Sequence, residues 1–425
     1  MMDSGPTVAA HRRLLVRFLP IVLLGLLVLA IGCRGTSTTT SARTSTTSAG
    51  ALGSTATTAS PVESTSTSAS SVPTTSGSPS PTSPQPSGAA VPAGFTAASV
   101  TFVSTQEAFV LGTAPGSGTL LLRTLDRGHT WVALTAPAAP LGRPGAGGGN
   151  TAWGTRFASP SHGFVFGVGL WETVDGAMHW NSASAPAGSI LSLATIDGQV
   201  LALTARASPG GGIGPATLFR RPLAGGSWSA VAPVGQVDLL DPTDLIATQR
   251  KTAVLLAGTS VLVTNDGGLT LTRHGTPSTP PGFAPASVTV NATGALELLC
   301  VGQGYTGHTD KQVYMSVDEG THWTMVGKPS SEGDGGTLAA SAPNVLLVTA
   351  SAASWIDRSH DGGQIWATVK TYGDGGLGWA DLGFTTASKA VVVHGPAYTP
   401  GATDGRPGEL LLSSDGGATW HSVIF

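Results

Sequence analysis

The sequence predicts an all-β fold, a seven-bladed β-propeller with four-stranded antiparallel blades. Three observations lead there: an aspartate motif that returns at a near-constant interval, short β-rich runs between its copies, and no convincing helical period after residue 92. The motif is clearest at the C-terminus, with Ser413, Asp415, Gly417, Thr419 and Trp420 in the pattern Ser/Thr-x-Asp-x-Gly-x-Thr-Trp. It recurs at Thr124, Asp126, Gly128, Thr130 and Trp131. At Thr173, Asp175 and Trp180 it recurs with Ala177 and His179 replacing glycine and threonine. Further copies are Thr264-Asp266-Gly268-Thr270, where Leu271 stands for Trp, then Ser316-Asp318-Gly320-Trp323 and Ser359-Asp361-Gly363-Trp366. Neighbouring aspartates lie 43 to 54 residues apart, except for one double interval between Asp175 and Asp266. Inside it, Ala224-Gly225-Gly226-Ser227-Trp228 reads as a decayed copy, with Leu223 in the Asp position and Arg221 in the Ser position. Seven repeats of this length match four-stranded propeller blades.

Each element of the repeat has a local reason. After a strand such as Leu410-Leu411-Leu412 the chain must reverse. An Asp carboxylate accepts backbone N–H groups in such a turn, and glycine takes backbone angles that other residues resist. The Trp opening the next strand offers a large apolar face to a neighbouring blade. The six aspartates, and Trp131, Trp180, Trp228, Trp323, Trp366 and Trp420, therefore read as structural. In blade 1 the expected strands are Ala98–Ser104, Ala108–Gly112, Thr119–Thr124 and Thr130–Leu134. In blade 7 they are Trp379–Thr385, Ala390–His394, Glu409–Ser413 and Thr419–Ile424. Both ends of the body fall on blade boundaries, so the ring is expected to close by packing, although residues before Phe95 could add a strand.

Residues 1–32 read as an export signal. His11, Arg12, Arg13 and Arg17 precede an apolar run from Phe18 to Gly32 that is shorter than the roughly 20 residues a bilayer-spanning helix needs. The run ends in Leu29-Ala30-Ile31-Gly32-Cys33, which resembles the lipobox of bacterial lipoproteins and implies lipidation at Cys33 and anchoring on the outer side of the cell membrane. Residues 33–92 are dominated by Ser, Thr, Ala, Pro and Gly. Such a segment cannot offset its chain entropy by burial and reads as a disordered stalk. The propeller occupies 93–425. Cys300, in Leu298-Leu299-Cys300-Val301, reads as a buried small hydrophobe. Charge is sparse, and without the signal the formal balance is about −5. No basic stripe is present, which argues against nucleic acid. No residue spacing indicates a metal, a cofactor or a catalytic constellation.

The aspartate motif resembles the Asp-box, or BNR repeat, of sialidases and other propellers. The sialidase resemblance implies an arginine triad, a Tyr–Glu nucleophile pair and an Asp acid/base. Here Phe219-Arg220-Arg221-Pro222 is the lone counterpart of the family's first arginine motif. Residues 155–180 are also similar to the repeat of photosystem II assembly factors and their non-photosynthetic relatives. They carry Thr155-Arg156-Phe157, then Ser161-His162-Gly163-Phe164-Val165-Phe166-Gly167, then Trp171, Thr173, Asp175, Gly176 and Trp180. That resemblance implies a seven-bladed, exported propeller that binds protein. The arginine cluster through which photosynthetic members contact their partner has no counterpart in this chain.

Function is expected on the face opposite the aspartate turns, where the second-to-third loops and the inter-blade connections lie. The long segments there are 208–215, 304–311 and 395–408 within blades, and 137–150, 329–336 and 371–376 between them. Their candidate binding residues are Tyr305, His308, Asp310, Glu332, Asp334, Tyr372, Asp374, Tyr398, Asp404 and Arg406. The expectation is a non-enzymatic, lipid-anchored module that binds a protein or a glycan. The alternative is a glycoside hydrolase, sialidase-like or otherwise exo-acting, on the same face.

Overall fold

The computed structural model describes residues 88–142, 151–206, 213–238, 245–247, 251–342, 344–351, 354–372, 377–396 and 408–425. These form seven four-stranded antiparallel sheets, one per sequence repeat, and contain no helix. Blade 1 comprises Thr96–Phe102, Ala108–Thr113, Thr119–Thr124 and Val132–Leu134, and blade 7 comprises Trp379–Phe384, Ala390–His394, Glu409–Ser413 and His421–Ser422. The expected strands of both blades stand within two residues, and the outermost begin two residues later because the Trp completes the turn instead of entering the ladder. The decayed copy is a true blade, with Ser189–Ile196, Gln199–Ala205, Ile213–Pro222 and Ser229–Asp238 in one sheet. First strands pack side by side in chain order, and that of blade 7 packs against Thr96–Phe102 of blade 1, completing the ring.

The core lies between blades, in clusters that each draw on two neighbouring sheets. One joins Leu298, Cys300 and Tyr314 of blade 5 to Val254, Leu256 and Val261 of the preceding blade. Burial there pushes the Cys300 thiol up to about 12, so it packs as a hydrophobe and does not ionise at neutral pH. The closing seam is built the same way. Phe95, Val100 and Leu122 of blade 1 meet Val391, Val393 and Leu410 of blade 7, and Phe425 sets its ring 4.8 Å from Phe95 and 5.4 Å from Trp131. No strand is exchanged across this seam, because each sheet takes its four strands from one repeat. Ala89 instead adds a bridge outside blade 1, exchanging both backbone hydrogen bonds with Ala133. Phe425→Ala removes a half-buried aromatic from that seam and should lower stability by about 2 kcal/mol, read as an earlier denaturant midpoint.

A second device was not foreseen from the sequence. Bulges in the innermost strands displace a side chain toward the next blade, where it accepts a backbone N–H that the edge strand leaves unpaired. Ser99 Oγ accepts from Thr155 (3.2 Å), Ser192 Oγ from Leu245 (3.1 Å) and Ser287 Oγ from Leu338 (3.1 Å). At the seam Asp381 takes this role. Its Oδ2 accepts from Val100 (2.8 Å) and its Oδ1 from Arg156 Nη2 (2.7 Å), so one carboxylate ties blade 7 to blades 1 and 2.

The aspartate turns share one hydrogen-bond pattern. In blade 4, Thr264 Oγ1 donates to Asp266 Oδ1 (2.8 Å) and accepts from Gly268 N–H (2.9 Å), while Asp266 accepts from the N–H groups of Leu269 and Thr270 and from the Thr270 hydroxyl (2.6 Å). His179 and His322 stand where blades 1, 4 and 7 have Thr because imidazole Nδ1 reaches the same oxygen, at 2.7 Å from Asp175 and 2.6 Å from Asp318, whereas Ile365 gives Asp361 its backbone N–H alone. Hydrogen bonds from the Thr270 hydroxyl to Asp266, and from the His179 and His322 N–H groups to Asp175 and Asp318, hold these carboxyls down to about 2. Blade 3 has no such clamp. Arg221, buried between blades, pairs with Glu172 of blade 2 at 2.7 Å and lies over the rings of Phe164 and Trp228. Thr264→Val keeps the shape of the buried side chain but orphans the Gly268 N–H, and should cost about 2 kcal/mol in thermal or denaturant unfolding.

The tryptophans face backwards around the ring. Trp180, Trp228 and Trp323 donate Nε1–H to carbonyls of the preceding blade, at Thr135, Ser184 and Gly275. Trp131 and Trp366 donate to a carbonyl of their own turn. Leu271, in the Trp position of blade 4, packs on the cluster shared with blade 3.

Candidate binding cleft on the loop face

The second and third strands of blade 5, Leu296–Tyr305 and His308–Ser316, outrun their sheet. The innermost strand reaches only as far as the Ala284–Val301 pair. Beyond it Gly302–Asp310 projects as a two-stranded arm turning at Thr306-Gly307. The sequence alone read residues 304–311 as a loop insertion, because Gly302, Gly304 and Gly307 interrupt the β pattern. The pairs Gly304–Thr309 and Tyr305–His308 show the strands continuing through them.

The arm is tied to the connection toward blade 6. Thr309 N–H donates to Ser331 (2.8 Å), Gly333 N–H donates to Gly307 (2.9 Å), and Thr309 Oγ1 donates to Asp334 Oδ1 (3.0 Å). Beneath them lies Lys311, 2% exposed. Its Nζ donates to the carbonyls of Thr309 (3.2 Å), Ser330 (3.1 Å), Glu332 (2.8 Å) and Gly333 (3.0 Å). Desolvation pulls this ammonium below its ordinary pKa, against the pull of Asp357, Asp334, Asp310 and Glu332. Asp357 extends the brace into blade 6 by accepting Ser330 N–H at Oδ2 (3.0 Å) and the Thr368 hydroxyl at Oδ1 (2.7 Å). Sequence reading treated Lys311 as the end of a loop. It lies instead within a strand in which Lys311, Gln312, Val313 and Tyr314 are all buried, so both faces are covered and no alternation marks it in the sequence.

Arm and connection enclose an open cleft of about 540 Å³, lined by Val301, Gly302, Gly304, Tyr305, Thr306, Gly307, Thr309, Asp334 and Gly335. Tyr305 is 60% exposed, and its hydroxyl donates to Asp310 Oδ2 (3.2 Å), a bond that raises the phenol pKa. His308 Nδ1 lies 2.8 Å from the Thr306 carbonyl and Nε2 lies 3.2 Å from Glu332. Those two acceptors, Thr306 first, raise the imidazole pKa. The structure thus brings together Tyr305, His308, Asp310, Glu332 and Asp334.

Tyr372 sits apart and is buried. Its hydroxyl donates to Glu409 Oε2 (2.5 Å), its ring stacks on His394 at 3.9 Å, and Trp379 meets both edge-on or tilted. This cluster is the packed base of the loop face between blades 6 and 7. Asp374, Tyr398, Asp404, Arg406 and Cys33 lie outside the described residues. Among the described residues, no group of three or more His, Cys, Asp or Glu side chains converges as a metal site.

No protein-family model matches the sequence, and no curated protein matches it. Solved structures do resemble the fold. YCF48 bound to D1 peptide matches with a TM-score of 0.50 and 17% identity, over 77% of this chain and 95% of its own. Oligogalacturonate lyase from Vibrio parahaemolyticus matches with a TM-score of 0.51 and 10% identity, over 76% and 92%. YCF48 from Cyanidioschyzon merolae matches with a TM-score of 0.41 and 15% identity, over 67% and 87%. At these identities the likeness is one of fold, and the fold carries both a peptide binder and a lyase.

Proposed function

We propose that this chain is an exported, lipid-anchored propeller of the Asp-box type whose loop face binds a protein or glycan without turning it over. The observation that carries the reading is the cleft between blades 5 and 6. It is open, framed by paired backbone, and braced from below by a buried lysine spent on four carbonyls. A site held on rigid elements loses little entropy when it binds. The binding of a D1 peptide by YCF48, a propeller of the same fold, is consistent with such a role. The lipobox-like end of the signal and the Ser/Thr/Pro stalk would hold the propeller away from the membrane, with Cys33 carrying more than one acyl chain for firm anchoring.

Two measurements test this. Full-length protein from a host that processes lipoproteins should take up labelled fatty acid and partition with membranes, and Cys33→Ala should release it. Failure of the wild type to label removes the anchor from the account. On peptide and glycan arrays the protein should bind without turnover. Cleavage of fluorogenic glycosides, lost on substituting one loop-face acid, would instead establish the hydrolase.

A further inference from the structure

We infer that the blade 5–6 cleft is a carbohydrate subsite for a neutral or amino-bearing pyranose stacked on Tyr305, and that it discriminates against anionic sugars. The inference rests on the binding role proposed above and narrows it to one ligand class. Four observations carry it. Tyr305 exposes 60% of its surface at the rim, and its hydroxyl is held by Asp310 Oδ2, which fixes the ring as a platform for the apolar C–H face of a sugar. Four of the nine lining residues are glycine. A Cβ at Gly335 or at Gly307 would meet no atom within 4 Å, so the backbone there is open to close approach by a ring. Asp334 Oδ1 is anchored by Thr309 Oγ1 at 3.0 Å, so its carboxylate enters the cleft wall in a fixed pose, as an acceptor for sugar hydroxyl or ammonium protons.

The fourth observation is the local charge. Asp334 lines the cleft, Asp310 holds the Tyr305 hydroxyl beside it and Glu332 faces His308, while the Lys311 ammonium is buried on four carbonyls. No cation among the described lining residues is available to a sugar carboxylate. A uronate or a sialic acid would therefore lose hydration against fixed negative charge, whereas a neutral hexose or an amino sugar would not.

The test is titration of the full-length protein, in detergent, with neutral oligosaccharides, amino-sugar oligosaccharides and oligogalacturonate, read by calorimetry and by quenching of Tyr and Trp fluorescence. A neutral or amino sugar should bind, with oligogalacturonate at least tenfold weaker. Tyr305→Ala should weaken binding by tenfold or more, and Gly304→Val, which adds bulk to the cleft wall from an exposed strand position whose Cβ meets Thr309 and Asp334 at ordinary contact distance, should do the same while leaving the melting temperature within a few degrees. Tyr305→Phe should fall between wild type and Tyr305→Ala, because the ring survives but its hold on Asp310 is lost. Binding of neutral sugars that neither Tyr305→Ala nor Gly304→Val changes would overturn the site and leave the general glycan-binding role standing. Preference for oligogalacturonate would overturn the charge argument. If no sugar binds while a peptide from the arrays does, the subsite is wrong and the protein-binding form of the role survives.

Discussion

Stability should decline by several kcal/mol as pH rises from about 4.5 to 8, and Glu297→Gln should abolish most of that decline. Glu297 lies in the second strand of blade 5 at 1% exposure. Asn291 Nδ2 donates to its Oε1 at 2.6 Å, and Oε2 meets no protein donor among the described residues. Burial pushes its carboxyl from 4.5 up to about 8, against the lowering effect of Asn291. The folded protein therefore keeps a proton that the unfolded chain releases above about 4.5. Between the two values the native state binds more protons, so stability falls with rising pH, and the favourable contribution is lost as pH passes through about 8. At 1.36 kcal/mol per unit, the span amounts to roughly 5 kcal/mol before relaxation around the charge. Gln keeps an acceptor for Asn291 and cannot ionise, so the variant's denaturant midpoint should be nearly flat over this range and higher than wild type at pH 8. The aspartate turns act in the opposite direction at acid pH. With Asp175, Asp266 and Asp318 near 2, their contribution is present above about 3.8 and lost as pH falls toward 2. The stability maximum should accordingly lie near pH 4 to 5. A maximum near neutrality that Glu297→Gln leaves in place would contradict this account.

Lys311→Met should cost about 3 kcal/mol and should loosen the blade 5–6 cleft before the rest of the ring. Methionine fills the aliphatic volume but takes the donor away from four carbonyls in the arm and the connection. Buried acceptors left without a donor bear the desolvation cost in full. The loss should be local. Amide exchange at Thr309 and Gly333, whose N–H groups pair across the arm and the connection, should accelerate far more than exchange in the innermost strands. Equal acceleration throughout the ring would show that Lys311 supports the global fold and not the cleft.

Much of the architecture could be read from the chain because the aspartate turn is a local device. Ser/Thr, Asp and the residue four after the hydroxyl interact within one short stretch, so the motif survives as a string and its spacing counts the blades. Blade 3 was legible even without its carboxylate, since Trp228 keeps its place and its bond to the preceding blade. Interactions between blades were harder to see, because they join residues dozens of positions apart that share no short motif. The inner-strand serines are the instructive case. Gly94-Phe95 with Ala98-Ser99-Val100-Thr101, and Gly282-Phe283 with Ala286-Ser287-Val288-Thr289, repeat the same spacing in blades 1 and 5. The repeated serine marks the hydroxyl that caps the next blade's edge.

The candidate site was legible in part. Tyr305, His308 and Asp310 stood out as polar and aromatic residues in a glycine-rich stretch, and the structure gathers them with Glu332 and Asp334. Tyr372 carried the same sequence signature but is packed between Trp379 and His394, since an aromatic beside a connection serves equally well to seal the core. Lys311 was missed because a lysine in a polar stretch reads as solvated. Only the fold reveals that backbone carbonyls converge on it.

The central claim is that the aspartate turns hold the scaffold while the opposite face meets the ligand. Hydrogen exchange of the full-length protein, followed by mass spectrometry with and without whichever oligosaccharide or peptide it binds, tests this most directly. The account predicts protection concentrated in residues 302–311 and 330–335, with the turns at Asp126, Asp175, Asp266, Asp318, Asp361 and Asp415 unchanged. Protection confined to those turns, with the blade 5–6 arm exchanging as before, would contradict it.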